Sequence, residues 1–257
     1  METQNTELNA NTPKSTNPFT HSSFSRKAGA ISVLVLTALI YQNFDFADGW
    51  KINLIPLNEK HRATHAKELL GKYYDGSAAQ MVENANSLGM AIFNDVYRNL
   101  PKKYKTSAVD VSTAIIEHAE KYEIDPVFVV AVIKTESSLN PMAKGRFGEI
   151  GLMQLKPDTA AWIAKKYGIR WKGAKSLENP KTNVILGIAY LNFLRDRFDG
   201  HANKYLSAYN MGAKNVCRMY ASDRTPHEYS MRVMKNYNST YRRLAAATTL
   251  SLLAYGD

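Results

Sequence analysis

Glu136 is the residue whose type and setting most invite chemistry. It lies in AVIKTESSLNP, residues 131–141, at the end of an apolar run over 127–133. On a helix, Val129, Val132, Ile133 and Glu136 stand at i, i+3, i+4 and i+7 and share one face. A carboxyl at the edge of an apolar face loses hydration, so its charged form is disfavoured and its pKa rises. A carboxylic acid that keeps its proton near neutral pH can protonate a leaving group. The competing reading is a carboxylate near a helix end that reaches out to water or pairs with a lysine.

Other chemistry-bearing residues point to less. His61 and His65 have the i, i+4 spacing of a metal pair, but no glutamate follows the first histidine as in HExxH. They are read as a solvated helical face, and no metal or cofactor is expected. His118 continues the stripe Val111, Ala114, Ile115 and reads as a core histidine. Cys217 is the single cysteine, so no intrachain disulfide can form. With no base beside it, it reads as a buried filler. Thirty-three basic against 23 acidic side chains give a net charge of +10, which suits an anionic polymer or lipid surface. No tight Lys/Arg cluster with interleaved aromatics occurs, so nucleic acid is not an expected partner.

The elements that must position Glu136 are helical. Asp125-Pro126 reads as an N-cap and first helical residue, with the helix running to Ser137 or Ser138 before Asn140-Pro141 stops it. Apolar spacing predicts helices over 81–99 and 109–122 before it, and over 158–167, 180–194, 205–211 and 228–243 after it. Between 141 and 157 lies a loop containing Gly145, Gly148 and Gly151. Upstream, residues 1–25 are rich in Asn, Thr and Ser and are expected to be disordered. Arg26 and Lys27 precede the uncharged stretch 28–41, and Asp45 and Asp48 follow it. That order fits an N-terminus left in the cytoplasm and a body exported through the membrane. The stretch spans about 21 Å as a helix at ~1.5 Å per residue, short for a membrane span. Without a convincing cleavage site, an uncleaved signal-anchor is favoured over a cleaved signal peptide.

ESSLNP over 136–141, GLMQ over 151–154, SAYNMG over 207–212 and EYSMRV over 228–233 occur in order, with LENPKTNVILGIAYL over 177–191. Together they resemble the goose-lysozyme-like lytic transglycosylases, over about residues 109–240. The resemblance implies a lysozyme-like helical domain with a glycan-binding cleft. It implies cleavage of the β-1,4 bond between N-acetylmuramic acid and N-acetylglucosamine in peptidoglycan, leaving 1,6-anhydromuramic acid ends. It makes Glu136 the catalytic acid and then base. It assigns Ser137, Met153, Gln154, Tyr209, Asn210 and Tyr229 to substrate binding, with Ser137 helping to fix the helix end, Met153 packing on sugar and the Tyr229 hydroxyl near the acid. Two departures stand out. Gly145 replaces the family's serine, whose hydroxyl is linked to the substrate's acetamido group, and Glu149 replaces an alanine.

The expected organisation is therefore a tail over 1–25, a signal-anchor or signal peptide over 26–46 and a membrane-proximal connector with a helical part over 47–105. A mainly α catalytic domain over 106–245 and a short tail over 246–257 follow. The expected setting is the periplasmic side of the cytoplasmic membrane or beyond. The partners are a peptidoglycan strand, the membrane through the N-terminal segment and, as a candidate, envelope-spanning machinery. Two rival readings remain: a hydrolysing muramidase on the same fold, with Glu149 activating water, and a non-catalytic glycan-binding module for envelope assembly.

Overall fold

The computed structural model describes residues 57–82 and 88–254, with side chains to residue 246. The segments expected as tail and membrane or signal segment, 1–25 and 26–46, lie outside the described residues. All described residues belong to one compact unit, Phe46–Asp257. They form ten α-helices: α1 (Glu59–Leu70), α2 (Ala78–Met81), α3 (Leu88–Asn99), α4 (Ala108–Lys121), α5 (Pro126–Ser137), α6 (Pro157–Tyr167), α7 (Pro180–Arg197), α8 (Ala202–Met211), α9 (Ala213–Ala221) and α10 (Glu228–Ala254). Among the described residues there is no strand; the loop between α5 and α6 holds only two isolated antiparallel bridges, Lys144 to Ile150 and Ile150 to Leu155. The mainly α expectation holds. No helix among the described residues is long and apolar enough to cross a membrane.

The helix that carries Glu136 is set by local signals. Asp125 caps α5, its carboxylate accepting from the Val127 N–H at 2.8 Å, and Pro126 fills the first helical position. Ser138 ends α5 in the left-handed conformation. Every residue from Pro126 to Ile133 is buried, so α5 is enclosed on all sides rather than striped. Helices α3, α4 and α10 pack around it. The apolar run therefore marks a central helix, and Glu136 differs from its neighbours by lying where the wrapping ends.

The expectations for three residues, His65, Cys217 and His118, need correction. The described part of the 47–105 stretch lies in the same compact unit as the rest of the described residues. Helix α1 docks through polar groups: Arg62 Nη1 donates to the Tyr241 hydroxyl at 2.8 Å and to the Ala79 carbonyl at 3.1 Å. His65 does not lie on a solvated face; it is wholly buried, with Nδ1 accepting from the Asp125 N–H at 3.1 Å. That bond fixes the proton on Nε2, which faces the Tyr205 hydroxyl at 3.2 Å. Tyr237 and Tyr241 of α10 donate to the other Asp125 oxygen at 2.6 and 2.8 Å. The cap of the acid's helix is thus the centre of a buried network joining α1, α5 and α10. Cys217 is exposed rather than buried: Val216 takes the inward position of α9 and the next residue points away. His118 is partly buried, and its Nδ1 has no partner within the described residues, so it is less well satisfied than a core histidine should be.

Burial, reinforced by the Arg195 charge, holds the His65 pKa well below 6.5. A folded state that resists protonating this ring binds fewer protons than the unfolded chain, so its stabilisation is full above pH 6.5 and is lost as pH falls below it. His65→Gln is expected to cost about 1–3 kcal/mol at pH 7.5, since it leaves buried donors unmatched. The gap to wild type should narrow steadily below pH 6.5. Denaturant melts across pH 4.5–8 check this; a gap that is constant with pH would refute it.

Candidate active site

The last turn of α5 opens into a cleft of about 720 Å³. Glu136, Gln154, Tyr209 and Asn210 line it together, so four of the seven residues expected at the site meet there. Tyr229 reaches the acid from α10, its hydroxyl donating to Glu136 Oε1. The ring is buried, and the Arg232 guanidinium, one helical turn on, lies 5.6 Å from its centre. Loss of hydration pushes the Glu136 carboxyl up to about 7; the Tyr229 hydrogen bond and the Arg232 charge oppose that rise, and the Glu149 charge adds to it. The opening expectation of a poorly hydrated acid is met in geometry and direction.

Ser137 and Met153 stand beside the cleft rather than on its wall. The Ser137 hydroxyl is placed to donate to the Leu152 carbonyl at 2.7 Å and the Ile133 carbonyl at 3.2 Å, tying the end of α5 to the 141–157 loop. Met153 is 0% exposed. Its side chain lies against Gly187 of α7, where an added Cβ would come within 2.3 Å of the sulfur. Met153 is a core residue on which the loop rests.

Asn183 of α7 holds that loop in place. Its Oδ1 accepts from the Met153 N–H at 2.8 Å, and its Nδ2 donates to the Ile150 and Leu177 carbonyls at 2.8 and 3.0 Å. Gly151, with φ +84°, has no room for a side chain because an added Cβ would lie 2.3 Å from Asn183 Nδ2. Gln154 is also in the left-handed region, φ 46°, and its amide donates to the Gly151 and Ala143 carbonyls at 2.8 and 3.1 Å. Tyr209 adds a further tie, donating to the Met153 carbonyl at 2.8 Å and leaving its ring 5.3 Å from Tyr190.

The two departures from the family pattern are one structural feature. A Cβ added at Gly145 would lie 2.3 Å from Glu149 Oε2 and 2.9 Å from Gln154 Oε1. The Glu149 carboxylate occupies the space a side chain at 145 would take. It accepts from the Phe147 N–H at 2.9 Å and faces Lys156 Nζ at 3.5 Å. Its partial burial would push its pKa up, but its own and the Phe147 N–H groups and Lys156 outweigh that and bring it below the ordinary value. Glu149 is therefore a committed anion at neutral pH.

Sequence reasoning missed several cleft residues: Arg146, Phe147, Lys156, Thr159, Tyr190 and Asn215. Arg232 was readable as i+3 from Tyr229 on one helical face. Phe147 is 72% exposed at the tip of the loop, with Lys156 Nζ 5.4 Å from its ring. Among the described residues no group of three His, Cys, Asp or Glu is placed to hold a metal ion.

This helical cleft with one raised carboxyl lies in a stretch of sequence that matches a known domain directly. Residues 113–232 match the family model "Transglycosylase SLT domain". Over 115 residues it is 39% identical to a membrane-bound lytic murein transglycosylase C from Histophilus somni, covering 41% of this chain and 32% of that protein. Over 112 residues it is 34% identical to a membrane-bound lytic murein transglycosylase E from Buchnera aphidicola, covering 42% of this chain and 50% of that one. The chain thus spans a third to a half of these curated relatives. The 70 kDa soluble lytic transglycosylase from Escherichia coli superposes with a TM-score of 0.48 at 21% identity, over 68% of this chain and 30% of that one; a likeness so slight adds nothing to the family match.

A carboxyl moved from 4.5 to about 7 makes the folded protein bind more protons than the unfolded chain between those values. Stability linked to this group is therefore lost as pH rises from 4.5 through 7. Glu136→Gln keeps an acceptor for the Tyr229 hydroxyl and removes the charge. It is expected to be near neutral at pH 4.5 and to stabilise by up to about 3 kcal/mol at pH 8, at ~1.4 kcal/mol for each tenfold change in proton affinity. Chemical denaturation at the two pH values measures the difference; equal effects at both would show a well-hydrated acid.

Proposed function

We propose that this protein is a peptidoglycan lytic transglycosylase with a lysozyme-like domain, acting on the β-1,4 bond between N-acetylmuramic acid and N-acetylglucosamine. The observation that carries the reading is a single carboxyl poised near neutrality in a cleft, with Tyr229 on one of its oxygens. Protonated Glu136 gives its proton to the glycosidic oxygen as the bond to the anomeric carbon breaks. The 6-hydroxyl oxygen of the same muramyl residue then bonds to that carbon, and its proton passes to Glu136. The product is a 1,6-anhydro sugar, and the acid is restored without water entering the reaction. A group that is acid in one half and base in the other works best with a pKa close to the working pH. Burial supplies the proton-holding half; the Tyr229 hydroxyl and the Arg232 charge stabilise the anion in the other half. Gln154, Tyr209 and Asn210 sit where a sugar in the cleft would meet them, Asn210 as both donor and acceptor.

Glycosidases that use water or an enzyme nucleophile ordinarily need a second carboxylate. Glu149 is the one at hand, and a muramidase reading would rest on it. Its oxygens are taken up by Phe147, Lys156 and the space over Gly145, which favours a loop-fixing role. The relatives' description as membrane-bound supports a position in the cell envelope, with the net positive charge drawing the domain to an anionic wall.

Mass spectrometry of fragments released from purified peptidoglycan tests this. The wild type is expected to leave anhydro-ended fragments, one water lighter than hydrolysed ones, and Glu136→Gln to lower the rate by roughly 10²- to 10⁴-fold. Glu149→Gln should keep the anhydro product. Reducing ends from the wild type, or cleavage abolished in Glu149→Gln with binding intact, would favour the muramidase. Removing the Tyr229 hydroxyl takes away a bond that lowers the Glu136 pKa, so Tyr229→Phe should move the alkaline limb of the rate profile upward from near pH 7.

A further inference from the structure

Thr159 of α6 and Tyr190 of α7 are on the wall of the cleft. One turn further along each helix, about 4.5 Å at ~1.5 Å per residue, stand Trp162 and Phe193. Their rings meet edge to face at 4.6 Å, and Trp162 remains 45% exposed. Beyond them lies an open hollow of about 490 Å³ lined by Phe193, Lys166, Tyr167, Asp196 and Arg197. Burial raises the Tyr190 pKa, and the Arg197 charge opposes that rise. Lys166 Nζ lies 5.5 Å from the Phe193 ring.

Phe193 is partly buried and packs against the core, while much of the Trp162 indole faces water. An aromatic pair one turn from the cleft wall, with one exposed ring and with Lys166 and Arg197 beside it, is suited to an amphipathic ligand. A pyranose ring has an apolar C–H face to lay on the rings and hydroxyls that stay hydrated. A muramyl residue also carries a carboxylate or a peptide ending in one, which would meet Lys166 and Arg197. We infer that the seam between α6 and α7, from Tyr190 through Trp162 and Phe193 to Arg197, is an outer subsite for a distal, peptide-bearing sugar of the strand held in the cleft. The inference rests on the proposed action on peptidoglycan for the identity of the strand, but the subsite can fail or stand separately from cleavage.

The test uses the Glu136→Gln protein, with and without Trp162→Ala, binding long peptide-bearing strands and a tetrasaccharide that fills only the inner cleft. Trp162→Ala should weaken binding of long strands by roughly 5- to 10-fold, with the tetrasaccharide unchanged. Arg197→Ala should weaken peptide-bearing strands but not strands stripped of peptide. In the active protein the loss should appear in KM, with kcat held, and Trp162→Phe should recover most of it. Equal affinity with and without Trp162, or equal losses on long and short ligands, would overturn the subsite. Trp162-dependent binding by a wild type that never cleaves would overturn the proposed reaction and leave the subsite standing. No binding of strands at all would overturn both.

Discussion

The site depends on taking one carboxyl out of water without burying it beyond use. Helix α5 is wrapped on all sides up to Ile133, and Glu136 is placed where that wrapping gives way to the cleft. A position one turn earlier would be sealed in the core, as Val132 and Ile133 are. The polarity of the helix acts in the same direction. Glu136 lies in the last turn, where unpaired carbonyls carry partial negative charge and disfavour another anion. Against these stand one hydroxyl and one guanidinium, both from the start of α10.

Positioning such a group demands that both ends of its helix be held. At the start, Asp125 is fixed by two tyrosines of α10 and by the ring of His65, so α5 cannot slide along its axis without breaking a buried network. At the end, the Ser137 hydroxyl reaches the Leu152 carbonyl, and Asn183 holds the same loop through two hydrogen bonds, with a third to the Leu177 carbonyl. Helix α10 contributes at both ends, supplying Tyr237 and Tyr241 to the cap and Tyr229 to the acid. The wall that faces the substrate is thereby referenced to the same buried frame as the acid.

Much of this was legible in the sequence, and the parts that were not share a cause. Asp125-Pro126, Gly168 and Asn179-Pro180 marked helix limits through local chemistry, and those limits are where they were read. Glu136 was readable because a lone acid after an apolar run is a local anomaly. The docking of α1 was not, because it is held by Arg62 and His65, and polar burial leaves no apolar periodicity to detect. The core place of Met153 and the exposure of Cys217 turn on which way one side chain points. Composition does not carry that information, nor does it show Glu149 filling the space over Gly145.

That last exchange of space has an evolutionary corollary. Positions 145 and 149 compete for a single volume beside Gln154, so neither can vary freely while the other stays as it is. A serine introduced at position 145 alone would force the carboxylate off the Phe147 amide, whereas a serine there combined with a short residue at position 149 would fill the same room. Homologous loops should therefore partition into two compatible combinations, with the intermediates selected against, and covariation of these sites would be the historical trace of a steric exclusion.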